Sequence, residues 1–313
     1  MNHPPRRHEN GRSHRVRSAE ARPAGDGRGS RRRDPGERDP GGRVSRRDLD
    51  KRGARGYRRG LGGEQVEGRQ AVRELLATAR RPVRQVWIAQ GLEPSPQLDE
   101  IARLAARSRA KVEFVGRRRL EAVARTDSSQ GVLALAAPLE ETPLEDMCDA
   151  TGGIAPFLLV LDGVSDPQNL GAILRSAECA GVTGVVVPRH RAANVTPTVT
   201  KVAAGAVEHM AMAVVPGVPS SLRHLSEHGV TCVGLDANAE TSLFDVGAEL
   251  DGPVALVLGA EGRGLGMLSR RRCSIIASIP QHGALDSLNV AAACAVACFE
   301  LARRRSSSRP NDG

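Results

Sequence analysis

The stretch Val254-Ala255-Leu256-Val257-Leu258-Gly259-Ala260-Glu261-Gly262-Arg263-Gly264-Leu265 decides the fold. Five apolar residues in a row, without polar alternation, describe a strand buried on both faces. The run passes straight into a loop with three glycines in six residues. Such a loop lets a ligand approach bare backbone, with N–H and C=O groups turned inward. Further apolar runs lie at Phe157–Leu161, Val185–Val187, Met210–Val215, Cys232–Leu235 and Ile275–Ile279. Helical patterns separate most of them, and a long final helix is expected from about Leu288 to Arg304. Continuous strands alternating with helices predict a parallel sheet covered on both faces, with ligands beyond the carboxyl ends of its strands.

Two more strand ends therefore matter. After Leu161 comes Asp162-Gly163-Val164-Ser165-Asp166-Pro167-Gln168-Asn169-Leu170-Gly171-Ala172-Ile173-Leu174-Arg175. A turn is expected at Asp166-Pro167, and Asn169 reads as the cap of the next helix. Leu170, Ile173, Leu174 and Ala177 form its buried stripe, which leaves Arg175 on the opposite face, one turn after Gly171. By itself such an arginine is more often a solvent-facing charge than a functional one. After Ile279 comes Pro280-Gln281-His282-Gly283-Ala284-Leu285-Asp286-Ser287-Leu288-Asn289. Ser287 or Asn289 is expected to cap the last helix, whose small residues permit close packing. His282 has no partner carboxylate in the pattern and is a poor catalytic candidate. The glycine loop is not a phosphate loop, because G-K-[ST] is absent, and its spacing does not fit G-x-G-x-x-G.

Ahead of these strands, residues 64–138 alternate strand and helix as a small α/β domain. Ala71-Val72 and Leu75-Leu76 have helical spacing and stop before Pro82. Val83–Ala89 reads as a strand, Ile101, Leu104 and Ala105 as a helix, and Lys111–Val115 and Gln130–Ala137 as strands. Residues 139–155 read as a linker around a short helix, 156–305 as the second domain and 306–313 as a disordered tail.

The chain of 313 residues carries a formal charge of +9, but unevenly. Residues 1–63 hold 18 Arg and one Lys against eight acids, a net +11, which leaves −2 for everything after them. With frequent Gly and Pro and few apolar residues, that segment reads as a disordered arm. A charge run of this kind is as often merely solvated, or here a reflection of codon bias, but the dominance of Arg over Lys tips the reading toward a polyanion partner. Aromatic residues make up only 2% of the chain, which argues against a stacking platform for sugar or RNA bases. No apolar stretch is long enough to span a bilayer, and the first residues resemble neither a secretory nor a transit signal, so a cytoplasmic location is expected. Cys148, Cys179, Cys232, Cys273, Cys294 and Cys298 form no C-x-x-C and no histidine cluster joins them in sequence. Neither a metal nor a disulfide framework is expected.

Taken together, Asn169–Arg175 (N-L-G-A-I-L-R), Leu258–Leu265 (L-G-A-E-G-R-G-L) and Ile279–Val290 (I-P-x-x-G-x-x-x-S-L-N-V) resemble the SpoU/TrmH branch of the SPOUT RNA methyltransferases, in order as well as spacing. The likeness runs over roughly 157–305. Residues 64–138 resemble the family's small substrate-binding domain, with G-R-Q-A-V-R-E-L-L near the start and Q-G-V-L-A at the end. This two-domain form is most similar to bacterial enzymes that methylate a guanosine 2′-OH in 23S rRNA. Departures are small: Gln281 stands where the family often has Met, and Ala291-Ala292 where it often has Ser-Val.

The resemblance implies an α/β fold whose C-terminal part is tied in a deep trefoil knot, a homodimer with the site near its interface, and S-adenosylmethionine as cofactor. By position, Gly259, Ile279 and Leu288 would contact the cofactor, while Asn169, Arg175, Glu261, Ser287 and Asn289 would form the catalytic site, without metal. The family's arginine has been proposed as the base. A guanidinium normally stays protonated, so Arg175 is better suited to grip a phosphate and the ribose oxygen. The same chemistry on tRNA is the nearest rival, and a non-catalytic rRNA-binding assembly factor the next. A dinucleotide dehydrogenase fails on loop position and lacks a ribose-binding acid.

Overall fold

The computed structural model describes residues 60–150, 152–190, 194–285 and 287–307. The expected basic arm up to residue 59 and the tail from residue 308 lie outside them. The first part holds β1 (Gln65–Glu67), α1 (Arg69–Thr78), β2 (Val83–Ala89), α2 (Pro96–Arg107), β3 (Lys111–Val115), α3 (Arg117–Val123) and β4 (Val132–Ala136). Its sheet has the order β1-β4-β2-β3, with β2 and β3 parallel and β4 antiparallel to both its neighbours. Two elements carry no apolar periodicity. β1 buries two polar residues, and its Glu67 carboxylate accepts bonds from Arg125 N at 2.7 Å, Thr126 N at 3.1 Å and Thr126 Oγ1 at 2.6 Å. α3 opens on three arginines and buries only Leu120.

The second part runs β5 (Phe157–Asp162), α4 (Pro167–Cys179), β6 (Gly184–Pro188), α5 (Pro197–Val202), β7 (Ala211–Val215), α6 (Val218–Glu227), β8 (Thr231–Leu235), β9 (Thr241–Ser242), β10 (Val254–Gly259), α7 (Met267–Arg272), β11 (Ile275–Ser278) and α8 (Val290–Ser307). The sheet order is β7-β6-β5-β10-β8-β11-β9, and every pairing is parallel. Alternate residues of β5 face opposite cores: Leu159 and Leu161 meet α4 and α8, whereas Leu158 and Val160 meet α6. β10 enters between β5 and β8, two strands already placed earlier in the chain. From β5 the chain moves outward to β6; from β10 it moves the other way, to β11. The ends of β5 and β10 therefore form a switch point, with Gly259 paired to Asp162.

Helix packing explains several small residues. A Cβ on Gly171 would sit 2.6 Å from Val202 Cβ, so this glycine sets the approach of α4 to α5. Cys294, Ala297, Cys298 and Leu301 are the buried stripe of α8, which packs on α4. Arg304 and Arg305 close the end of that helix by donating to the carbonyls of Val246, Gly252 and Ala155.

The two sheets are joined by a buried ion pair. Arg81 Nε and Nη2 donate to Glu208 Oε2 at 2.9 Å and Oε1 at 2.5 Å, and Nη1 donates to Gly63 O at 2.8 Å. The two side chains are 3% and 1% exposed, so solvent screens them little. Nearby, Arg80 reaches the Glu208 and Met210 carbonyls, and His209 Nε2 lies 2.9 Å from Glu74 Oε2. Residues 61–63, expected to belong to the arm, are part of this body. Leu61 is buried, and Val195 N donates to Leu61 O at 2.9 Å while Gly63 N donates to Val195 O at 2.8 Å. The linker is also packed: its expected helix is one 3-10 turn, Glu145–Met147, and Met147 and Cys148 are buried against the sheet.

Removing one member of the ion pair leaves the other charge buried. Glu208→Ala is expected to cost about 3–5 kcal/mol of stability. The double variant Arg81→Met/Glu208→Leu should recover much of that deficit. Urea denaturation of the three proteins checks both, and equal stability of Glu208→Ala and the parent would contradict this account.

Candidate functional site

The switch point collects three loops. Beyond β10, Ala260 and Gly264 form a miniature hairpin, with Gly264 N donating to Ala260 O at 2.8 Å and Ala260 N to Gly264 O at 3.1 Å. Gly262 and Gly264 adopt φ of +75° and +64°, which favours glycine, and open space lies where their side chains would be. Gly259 is required for a different reason from the one its sequence position suggests. A Cβ there would lie 2.1 Å from the Gly264 carbonyl carbon, so it is the loop's own backbone, crossing back over the strand end, that excludes a side chain.

The first loop enters α4 through Asp166, not Asn169. Asp166 Oδ1 accepts from Asn169 N at 2.8 Å, and Pro167 occupies the first helical turn. The pairing Asp-Pro is the ordinary start signal, and it frees the Asn169 side chain. At the third loop Asn289 caps α8: its Oδ1 accepts from Ala291 N at 2.9 Å and Ala292 N at 3.4 Å.

That cap fixes the direction of everything connected to it. With Oδ1 committed, Asn289 can only donate outward, and its Nδ2 gives to Asn169 Oδ1 at 3.0 Å. Asn169 must then donate in turn, and its Nδ2 gives to Glu261 Oε2 at 2.9 Å. The relay ends on an ionised acceptor, the strongest terminus such a chain can have. Three sequence-distant loops are held together by two side-chain bonds, and the second carboxylate oxygen of Glu261 has no partner among the described residues. Asp162 adds a further tie that sequence reasoning missed: its Oδ2 accepts from Gly266 N at 3.0 Å, joining the end of β5 to the start of α7. A polar residue closing an otherwise apolar strand was its only signal.

Asn169, Glu261 and Asn289 are thus brought together. Ser287 is exposed and makes no side-chain bond to another described residue. Arg175 is exposed on α4, six residues beyond Asn169, which places it about 9 Å along the axis and on another face. Ile279 is half-buried against the core, Leu288 is 43% exposed, and neither makes a backbone hydrogen bond to another described residue. Gly262 and Gly264 leave backbone open to a ligand, and the third loop carries the exposed apolar side chains of Leu285 and Leu288.

Sequence spacing offers the cysteines no histidine neighbours, and here the fold differs. Cys148 lies beside His224 and His228, outside the loops just described.

Both parts of the chain resemble known proteins. The model of the SpoU rRNA Methylase family matches residues 156–299, and that of RNA 2′-O ribose methyltransferase substrate binding matches residues 65–142. The 23S rRNA (guanosine-2′-O-)-methyltransferase RlmB of Pseudomonas putida is 37% identical, over 79% of this chain and 98% of its own length. Its Shewanella oneidensis counterpart is 39% identical, over 77% and 98%. The crystal structure of an AdoMet-bound rRNA methyltransferase from Sinorhizobium meliloti superposes with a TM-score of 0.63 at 25% identity, covering 76% of this chain and 86% of that one.

The relay predicts a separation of effects at Asn289. Asn289→Ala removes the cap and is expected to cost about 1 kcal/mol. Asn289→Ser keeps a capping oxygen and should retain that stability, yet it is too short to donate to Asn169. Thermal denaturation of both variants decides; equal destabilisation would show that the cap is not what Asn289 provides.

Proposed function

Because the chain belongs to the SpoU family of rRNA methylases, it is an S-adenosylmethionine-dependent RNA ribose 2′-O-methyltransferase acting on a guanosine of 23S rRNA, and we propose that its reaction centre is the Asn169–Glu261–Asn289 cluster. The observation that carries this placement is the relay itself, three loops converging on one carboxylate at the sheet's switch point. No observation favours the tRNA reading or a non-catalytic assembly factor.

Gly259, Ile279 and Leu288 would hold S-adenosylmethionine, largely through backbone. Once bound, it supplies an already activated methyl group. What remains for the protein is to place the ribose 2′-OH in line and to help remove one proton. Glu261, fixed by Asn169, offers its open oxygen as an acceptor that orients a hydroxyl or amine. Ser287 adds a second hydroxyl contact. Arg175 grips a phosphate and the ribose oxygen through its planar fork.

We read residues 64–138 as the RNA-binding domain, 139–155 as the linker and 156–305 as the methyltransferase domain. The late insertion of β10 between β5 and β8, with α8 returning onto α4, supports a deep trefoil knot in the C-terminal part. A homodimer is supported by the exposed apolar side chains of Val296 and Phe299 on α8. It is supported too by the position of Arg175, which faces away from its own relay and would serve a site completed by a second copy. No described helix is long and apolar enough to cross a membrane, and we place the reaction in the cytoplasm, where rRNA is.

The central test is Arg175→Ala. S-adenosylmethionine affinity by calorimetry should stay within about twofold, while methyl transfer falls on the order of 10²-fold. Arg175→Lys should also be poor, since an ammonium lacks the planar fork. Full activity in either variant would remove Arg175 from the centre.

A second test concerns the arm, whose arginines we propose bind RNA phosphates. Because Leu61 belongs to the core, the truncation should begin at Gly60. Without residues 1–59 the protein should methylate the same nucleotide but bind RNA more weakly at low salt. Its log affinity should depend less steeply on log salt, by about 0.7–0.9 for each phosphate that the arm neutralises. Identical slopes would mark the arm as a solvated tail.

A further inference from the structure

On the sheet face away from α4 and α8, the linker turn meets α6 in a way the methyltransferase reaction does not use. Cys148, at the end of the 3-10 turn, is buried, and its thiol stands beside two histidines one helical turn apart on α6 and its cap. Cys148 Sγ and one ring nitrogen each of His224 and His228 all lie within 4.8 Å of one another. The two rings are 4.2 Å apart between centroids.

The polar atoms here are arranged as in a ligand set. His228 Nδ1 is 2.8 Å from the His224 carbonyl. A proton on Nδ1 satisfies that carbonyl and leaves the Nε2 lone pair outward, the usual way in which a metal-binding imidazole is held in place. His224 Nε2 is buried and has no hydrogen-bond partner among the described residues. Buried nitrogens are seldom left so, because an unpaired polar atom costs stability. Glu145 and Asp149 flank the thiol. Burial, then the charges of Asp149 and Glu145, push the Cys148 thiol up, and the same negative charge favours a cation at the sulfur. A cleft of about 380 Å³, lined by Glu141, Glu145, Ser220, Ser221 and His224 among others, opens beside the cluster and gives an entry path.

We propose that Cys148, His224 and His228 form a zinc site, with water as fourth ligand, that clips the linker to α6. One thiolate and two imidazoles form a donor set that suits zinc better than magnesium or calcium. Tetrahedral zinc holds such donors about 3.5 Å apart, so the cluster must close by roughly 1 Å. The exposed ring of His228 can supply that movement by rotation. On binding, the sulfur–hydrogen bond is replaced by a sulfur–zinc bond and the thiol proton passes to solvent, so affinity rises with pH. The metal is distant from the relay in chain and face, and its role is to hold the linker that carries the first domain.

The test uses the full-length chain, stripped of metal and titrated with Zn²⁺ against a chromophoric chelator, and in parallel with Co²⁺. One zinc per chain is expected. The cobalt form should show the visible bands of tetrahedral coordination together with a thiolate charge-transfer band. Cys148→Ser should abolish the charge-transfer band, and His228→Gln should weaken zinc at least about tenfold. His228 is exposed, so His228→Gln should fold even if the buried Cys148→Ser does not. Absence of stoichiometric zinc, a cobalt spectrum without charge transfer, or unchanged zinc affinity in His228→Gln would each overturn the proposal.

Discussion

Everything in the seven-stranded part depends on β10 being hydrogen-bonded on both edges and buried on both faces. A strand in that position has no polar exit along its length, so its backbone and side chains can change character only at its end. At Gly259 they change at once. Paired with Asp162 on one side, Gly259 has the Gly264 carbonyl packed where its side chain would be. The loop crosses its own strand, and the crossing is what turns Glu261 back towards α4. The glycines thus serve the loop's path first; open ligand space is a consequence at Gly262 and Gly264, where nothing approaches.

The relay then follows from helix capping. The first amides of α8 need an acceptor, and Asn289 Oδ1 supplies it. An amide side chain has one oxygen and one NH₂, so committing the oxygen to the cap leaves a donor facing the site. Two asparagines in series carry that constraint to Glu261 without ambiguity about which way either amide is turned. A structural need at a helix end is in this way converted into an oriented carboxylate. Asp166 makes the arrangement possible by capping α4 in place of Asn169.

Much of this is legible in the sequence. The apolar runs at 157–161, 254–258 and 275–279 read as strands because burial on both faces leaves no alternation to confuse. Glu261 stands out as a charge among glycines. Asn169 stands out too, though with the wrong duty, because Asp166-Pro167 reads as a turn when it is also the helix start. β1 and α3 are not legible: one buries Gln65 and Glu67, the other exposes nearly all its side chains, and periodicity detects neither. Nor can spacing show that Cys148 meets His224 and His228, since the contact is made by the fold across some eighty residues. Arg175 is legible as the exposed residue opposite the buried stripe of its helix, and the structure leaves it exposed.

The junction between the two sheets shows the same logic at larger scale. Arg81 comes from the turn after α1, and Glu208 from the turn after α5. Each would be costly to bury alone, and together they are satisfied only when the small domain sits in one orientation. Gly205 narrows that choice further, since a Cβ there would lie 2.6 Å from Glu74 Cβ. Leu61 and Leu139 pack against the same core, so the chain entering and leaving the small domain is held at both ends. Nonspecific apolar contact between the domains would permit sliding. A bidentate ion pair held out of solvent does not, and it is this directional bond that gives the first part of the chain a defined position relative to the three converging loops.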